Sequence, residues 1–117
     1  MKGYPLGMTM LVWTVLFSRS AAKQYEKLKR SGVKRPSVID AIDLLVMDLR
    51  QSGPTMAQWP NYGLLGKGAY HCHLRKGRPT YVACWRVVSK INKEIEVFYV
   101  GTHEGAPFEG LCVQGCH

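Results

Sequence analysis

Tyr70-His71-Cys72-His73-Leu74-Arg75, Tyr81-Val82-Ala83-Cys84-Trp85-Arg86-Val87-Val88 and Glu94-Ile95-Glu96-Val97-Phe98-Tyr99-Val100 decide the fold. The runs are rich in β-branched and aromatic residues. Each is closed by turn formers: Lys76-Gly77-Arg78-Pro79, then Ser89 to Lys93, then Gly101. They predict consecutive antiparallel strands. Strand side chains alternate between faces, so His71, His73 and Arg75 are expected on one face and Tyr70, Cys72 and Leu74 on the other. Sheet stability asks for no such grouping, because histidine is an indifferent strand former and stacked basic groups repel. A polyanion whose phosphate must be held, and whose protons must move near neutral pH, does ask for it.

Toward the N-terminus, the apolar run Leu11 to Phe17 predicts a buried strand. Ser18 or Ser20 then offers an N-cap, and Ala21, Ala22, Tyr25 and Leu28 recur at helical spacing while Lys23, Lys27, Lys29 and Arg30 point away. Ser31-Gly32 ends this helix. A second helix opens at Pro36-Ser37, with Asp40 three residues after the Ser37 cap, and runs through Ile39, Ile42, Leu45, Val46 and Leu49 to Ser52-Gly53-Pro54. Met56 to Gly68 reads as an irregular loop. The expected fold is α+β: an antiparallel β-sheet with an N-terminal αα-hairpin packed on one face, in the order β-α-α-β-β-β. Residues 10–108 form the expected domain, residues 1–9 an extension and residues 109–117 a tail.

A chain of 117 residues suits one domain with one core. Sixteen Lys plus Arg against eight Asp plus Glu give a net charge of +8, which fits nucleic acid, an acidic protein or an anionic membrane as partner. Met1 to Ala22 has the outline of a secretory signal. Its apolar run is short, its positive end is a single lysine, and cleavage near Ala22 would remove a strand the domain can use. The expectation is therefore a cytoplasmic protein with free thiols and no membrane contact, since nothing approaches the ~20 apolar residues that span a bilayer. Cys72 and Cys84 suit small buried apolar positions, while Cys112, Cys116 and His117 lie in the tail, where no second ligand pair supports a zinc site.

If the last strand pairs beside its predecessors, His103 at its end approaches the face of His71 and His73. A metal is one use for His-x-His on a strand. The cations Lys67, Arg75, Lys76 and Arg78 disfavour a dication, and Glu104 is the one clear acidic neighbour, so no metal and no cofactor is expected. Lys67, Arg75, Lys76, Arg78 and Arg86 interleave with Tyr62, Tyr70, Tyr81, Trp85 and Phe108. The plainer account is a solvated cationic rim over sheet-packing aromatics. The sharper one is phosphate neutralisation with rings stacked on splayed bases. RNA cleavage without a metal fits these residues, because RNA supplies its own 2′-hydroxyl nucleophile and the protein must add a base, an acid and cations. No P-loop, Gly-x-Ser-x-Gly elbow or dinucleotide fingerprint is present.

From Leu11 to Phe108 the chain resembles the RelE/ParE superfamily of bacterial toxin–antitoxin toxins, especially the RelE-, YafQ- and HigB-like messenger-RNA interferases. The resemblance is carried by the predicted element order, the approach Gly63-Leu64-Leu65-Gly66-Lys67-Gly68-Ala69-Tyr70, the strand ending Trp85-Arg86-Val87 and above all Val100-Gly101-Thr102-His103-Glu104. It implies a toxin that cuts messenger RNA in the ribosomal A site and is neutralised by a cognate antitoxin, meeting DNA only through that antitoxin. It also implies His73 and His103 as the acid/base pair in unresolved order. His71, Lys67, Arg75 and Arg78 would hold phosphate, with His71 and Arg78 also in catalytic roles, Lys76 and Arg86 would assist RNA binding, and Phe108 would stack on a base. Two departures stand out. The acidic residue that YafQ-like members carry after the second-strand histidine is replaced by the Lys76-Gly77-Arg78 region, and the early third-strand arginine of RelE-like members falls near Val82. The alternatives are a ParE-like toxin that binds DNA gyrase without cutting, and an inactive relative that only binds antitoxin.

Overall fold

The computed structural model describes residues 12–31, 36–66, 68–75 and 79–107. Its elements are β1 (Thr14–Phe17), α1 (Arg19–Ser31), α2 (Pro36–Ser52), β2 (Gly63–Leu64), β3 (Ala69–Arg75), β4 (Tyr81–Ser89) and β5 (Glu94–Thr102). The strands make one five-stranded sheet in the order β1-β5-β4-β3-β2. The expected meander β3-β4-β5 is there, antiparallel throughout.

Three expectations need correction. The sheet is mixed, because β1 runs parallel to β5, with Thr14 beside Glu94 and Phe17 beside Val97. Parallel neighbours need a long crossover, and the two helices supply it. An isolated apolar run carries no signal for the direction of its partner. In addition, the Met56 to Gly68 loop contains β2, where Gly63 pairs with His71 and Leu64 with Tyr70. The first strand also begins at Thr14, later than expected, since Val12 and Trp13 instead donate their amides to the Arg50 carbonyl, each at 2.9 Å. The extension 1–9, Leu11, Gly32 and the tail lie outside the described residues.

α1 begins as its sequence suggests, with Ser18 Oγ accepting the Ala21 amide at 3.0 Å. Ala21 is fully buried, whereas Ala22, expected inward, is exposed; the stripe through Tyr25 and Leu28 already faces the core. Gln24, on the same helix, accepts the Val100 amide at 3.0 Å, just past the point where β1 stops covering β5. In α2 the residues Val38, Ile42, Leu45 and Leu49 keep a helical spacing and are all buried against the sheet.

The main core lies between the helices and one sheet face, where Cys72, Ala83, Trp85, Ile95, Val97 and Val100 point. Trp85 is 0% exposed. Its indole N–H donates to the Pro54 carbonyl at 3.0 Å, and its ring stacks with Tyr62 and Tyr70 at centroid distances of 6.3 and 6.0 Å. These aromatics therefore pack on one another under the helices. For them the sheet-packing account holds, and stacking on RNA bases does not.

Candidate active site

The opposite face of the sheet carries the histidines. His71 and His73 project from β3, paired with Cys84 and Val82 of β4. The third imidazole reaches this face through an irregularity in β5. Cys84 pairs with Tyr99 but Trp85 with Val97, so Phe98 is an extra residue. Ahead of this bulge Ile95 and Val97 face the helices; beyond it Val100 does, and Tyr99 turns to the far side. That change of parity brings His103, just after β5, toward His71 and His73. Its backbone amide donates to the Thr80 carbonyl at 2.8 Å. The rings of His73 and His103 meet edge to face, with centroids 5.7 Å apart and planes at 79°.

His71 is half-buried, and Nδ1 of both His71 and His73 is shielded from solvent. Burial lowers the His71 pKa below its ordinary 6.5, and the neighbouring His73 and His103 push it the same way. Space for this ring comes from Gly63, where a Cβ would stand 3.1 Å from His71 Nε2. The same loop is tied down by the His73 amide, which donates to the Pro60 carbonyl at 2.8 Å. Beneath the imidazoles lies a second apolar cluster of Leu65, Ala69, Val82, Cys84 and Tyr99. The histidines thus stand on a dry floor, where charge interactions weigh more than in water.

Other expected site residues fall differently. The register slips between His73 and Arg75, so that Arg75 pairs with Tyr81, whose ring packs toward the helix-side core. The strict alternation that would set Arg75 beside His73 is broken. Arg86 does face the histidine side, yet it lies four residues along β4 from Val82, about 13 Å away. There its Nε pairs with Glu96 at 3.0 Å and its guanidinium lies over Phe98, 4.8 Å from the centroid. Glu104 is exposed at the turn after His103. Lys67, Lys76, Arg78 and Phe108 lie outside the described residues, as do Cys112, Cys116 and His117. Cys72 and Cys84 are buried free thiols, each pushed up to about 12 by burial. They are unreactive at neutral pH.

Sequence reasoning missed Gly63, Pro60 and Tyr99 as neighbours of the site. The two glycines that follow Tyr99, Gly101 and Gly105, were the one available hint, since a bulky ring beside small residues signals close approach.

The mixed sheet with its two-helix crossover is shared with solved YoeB toxins. Among solved structures, the YoeB dimer from Staphylococcus aureus superposes with a TM-score of 0.60 at 14% identity, covering 79% of this chain and 98% of that one. The YoeB/ParE toxin from Agrobacterium tumefaciens gives 0.59 at 15% identity over 77% and 98% of the two chains. A YoeB–YefM complex from Staphylococcus aureus gives 0.59 at 14% over 78% and 97%. No family model matches the sequence, and no curated protein matches it significantly. At such identities the likeness is one of fold.

Proposed function

We propose that this chain is the toxin of a type II toxin–antitoxin system and that it cleaves messenger RNA at the ribosome, in the cytoplasm. The observation that carries the reading is the meeting of His73 and His103 at 5.7 Å on one face, beside a half-buried His71. One imidazole of the pair removes the 2′-hydroxyl proton, and the freed oxygen attacks the adjacent phosphorus. As the P–O5′ bond breaks, the other imidazole, in its protonated form, delivers a proton to the leaving 5′-oxygen. The products are a 2′,3′-cyclic phosphate and a 5′-hydroxyl. His71, kept neutral, donates an N–H to a phosphate oxygen and brings no charge. Positive charge for the transition state is assigned to Lys67 and Arg78, with Arg75, Lys76 and Arg86 along the RNA path and Phe108 against a base.

The antitoxin partner is supported by the fold, which is shared with a toxin solved in complex with YefM, and by the net charge of +8, which an acidic covering segment would offset. The ParE-like reading, binding gyrase without cutting, does not call for an edge-to-face histidine pair, so the pair favours cleavage. Inducing the wild-type chain and a His73→Ala/His103→Ala variant in bacteria, then mapping message 5′ ends, tests the proposal. Cleavage in ribosome-occupied reading frames and growth arrest are expected only with the wild type. Arrest by both chains, or a DNA-damage response in place of cleavage, would remove the nuclease reading.

A further inference from the structure

Tyr99 sits on the histidine side of β5, paired with Cys84 and 8% exposed. Its neighbours Leu65, Ala69, Val82 and Cys84 are apolar. An aliphatic residue would fill this floor equally well, so the hydroxyl needs its own explanation. It donates to the Thr102 carbonyl at 2.7 Å. In extended chain a residue three positions ahead lies about 10 Å away, so this bond requires the ring to lie along the strand and the chain to fold back over it. The fold-back is the turn that carries His103. There the Gly105 amide meets the Thr102 carbonyl at 3.2 Å and Thr102 Oγ1 at 3.3 Å, and the Ala106 amide meets the His103 carbonyl at 3.2 Å.

Two glycines make room for the phenol. A Cβ on Gly101 would lie 2.7 Å from the Tyr99 oxygen and 3.0 Å from Cζ, and one on Gly105 would lie 2.7 Å from the same oxygen. Neither glycine has a left-handed backbone; among the described residues the glycines with positive φ are Gly53, Gly66 and Gly68. Their small size therefore serves the hydroxyl and not the turn geometry. Burial also raises the Tyr99 pKa above its ordinary 10.0, which keeps the group a donor across the working range.

We propose that Tyr99 is a positioning residue: its hydroxyl, seated between Gly101 and Gly105, holds the Thr102 carbonyl and so fixes His103 against His73. The catalytic consequence rests on the function proposed above, whereas the geometric consequence does not.

The test uses the full chain in four forms: wild type, Tyr99→Phe, Gly105→Ala and the double variant. The ring contact between His73 and His103 is followed by NMR, and cleavage of ribosome-bound message by single-turnover kinetics. Tyr99→Phe keeps the ring and its packing, and is expected to preserve cooperative unfolding. It should weaken the His73–His103 cross-peaks and lower kcat by on the order of ten- to a hundred-fold with little change in KM. Gly105→Ala should do the same by displacing the hydroxyl. In the Tyr99→Phe background it should add less than about two-fold, because the next atom its methyl meets is Thr102 Oγ1 at 3.3 Å. Unchanged cross-peaks in Tyr99→Phe, or losses that multiply in the double variant, would overturn the assignment. Loss of the cross-peaks in a protein whose wild type cuts no message would uphold the positioning role and overturn the nuclease reading.

Discussion

Three imidazoles share one face, and their roles divide by environment. His73 and His103 touch, and in the proposed reaction each carries a proton to or from RNA. Replacing either with alanine should slow cleavage by about 10²–10⁴-fold, the usual worth of a general acid or base, measured under single-turnover conditions. His71 differs because the fold disfavours its charged form, so its pKa lies below 6.5. Well above that value the ring is neutral in both folded and unfolded chains and has no effect on stability. As pH falls past 6.5, the unfolded chain takes up its proton first, which draws the equilibrium toward unfolding. Stability is therefore expected to drop as pH is lowered from about 7 and to level off below the folded pKa. Urea midpoints measured across that range should show the decline in the wild type and a shallower one in His71→Gln.

Elements set where these residues go. The bulge at Phe98 hands Tyr99 and His103 to the outer face, and β2 closes the other side of the site by placing Gly63 against His71. Gly63→Ala should shift the His71 titration with a minor effect on stability, because the imidazole need give by only a few tenths of an ångström. NMR titration of the histidines checks this. Gly68 illustrates the opposite case: its φ is +78° and a Cβ there would meet nothing within 4 Å. Gly68→Ala should therefore cost about 1–2 kcal/mol from backbone strain alone, read from urea denaturation, and leave the histidine resonances in place. Trp85→Ala, by contrast, removes the centre of the aromatic stack and should cost about 3–5 kcal/mol.

At the scale of the molecule, charge and fold act together. The chain carries a net charge of +8; the outer face of its sheet holds the candidate chemistry, while the helices cover the other face. Association with the acidic antitoxin segment proposed above should then be electrostatically steered. Its rate should fall by about ten-fold or more between low and high salt, with a smaller change in dissociation. Stopped-flow mixing at several ionic strengths measures both. Among the described residues no helix is long and apolar enough to cross a membrane.

Much of this was legible in the chain itself. The alternation in β3 placed His71 and His73 together, the periodicity of α2 included Ile42, Leu45 and Leu49, which are buried, and Ser18 or Ser20 was expected to cap α1, where Ser18 does. These features are local: strand pleat, helix pitch and end caps are properties of a few adjacent residues. Tertiary structure alone decided that β1 runs parallel to β5, that Gly63-Leu64 forms a strand, and that Phe98 and Leu74 interrupt the register, turning His103 toward the other histidines and Arg75 away. A bulge costs and gains similar amounts at several neighbouring positions. The choice among them is made by what packs across the sheet, here Trp85 beneath the helices and Tyr99 above the outer floor, and that is information no single strand contains.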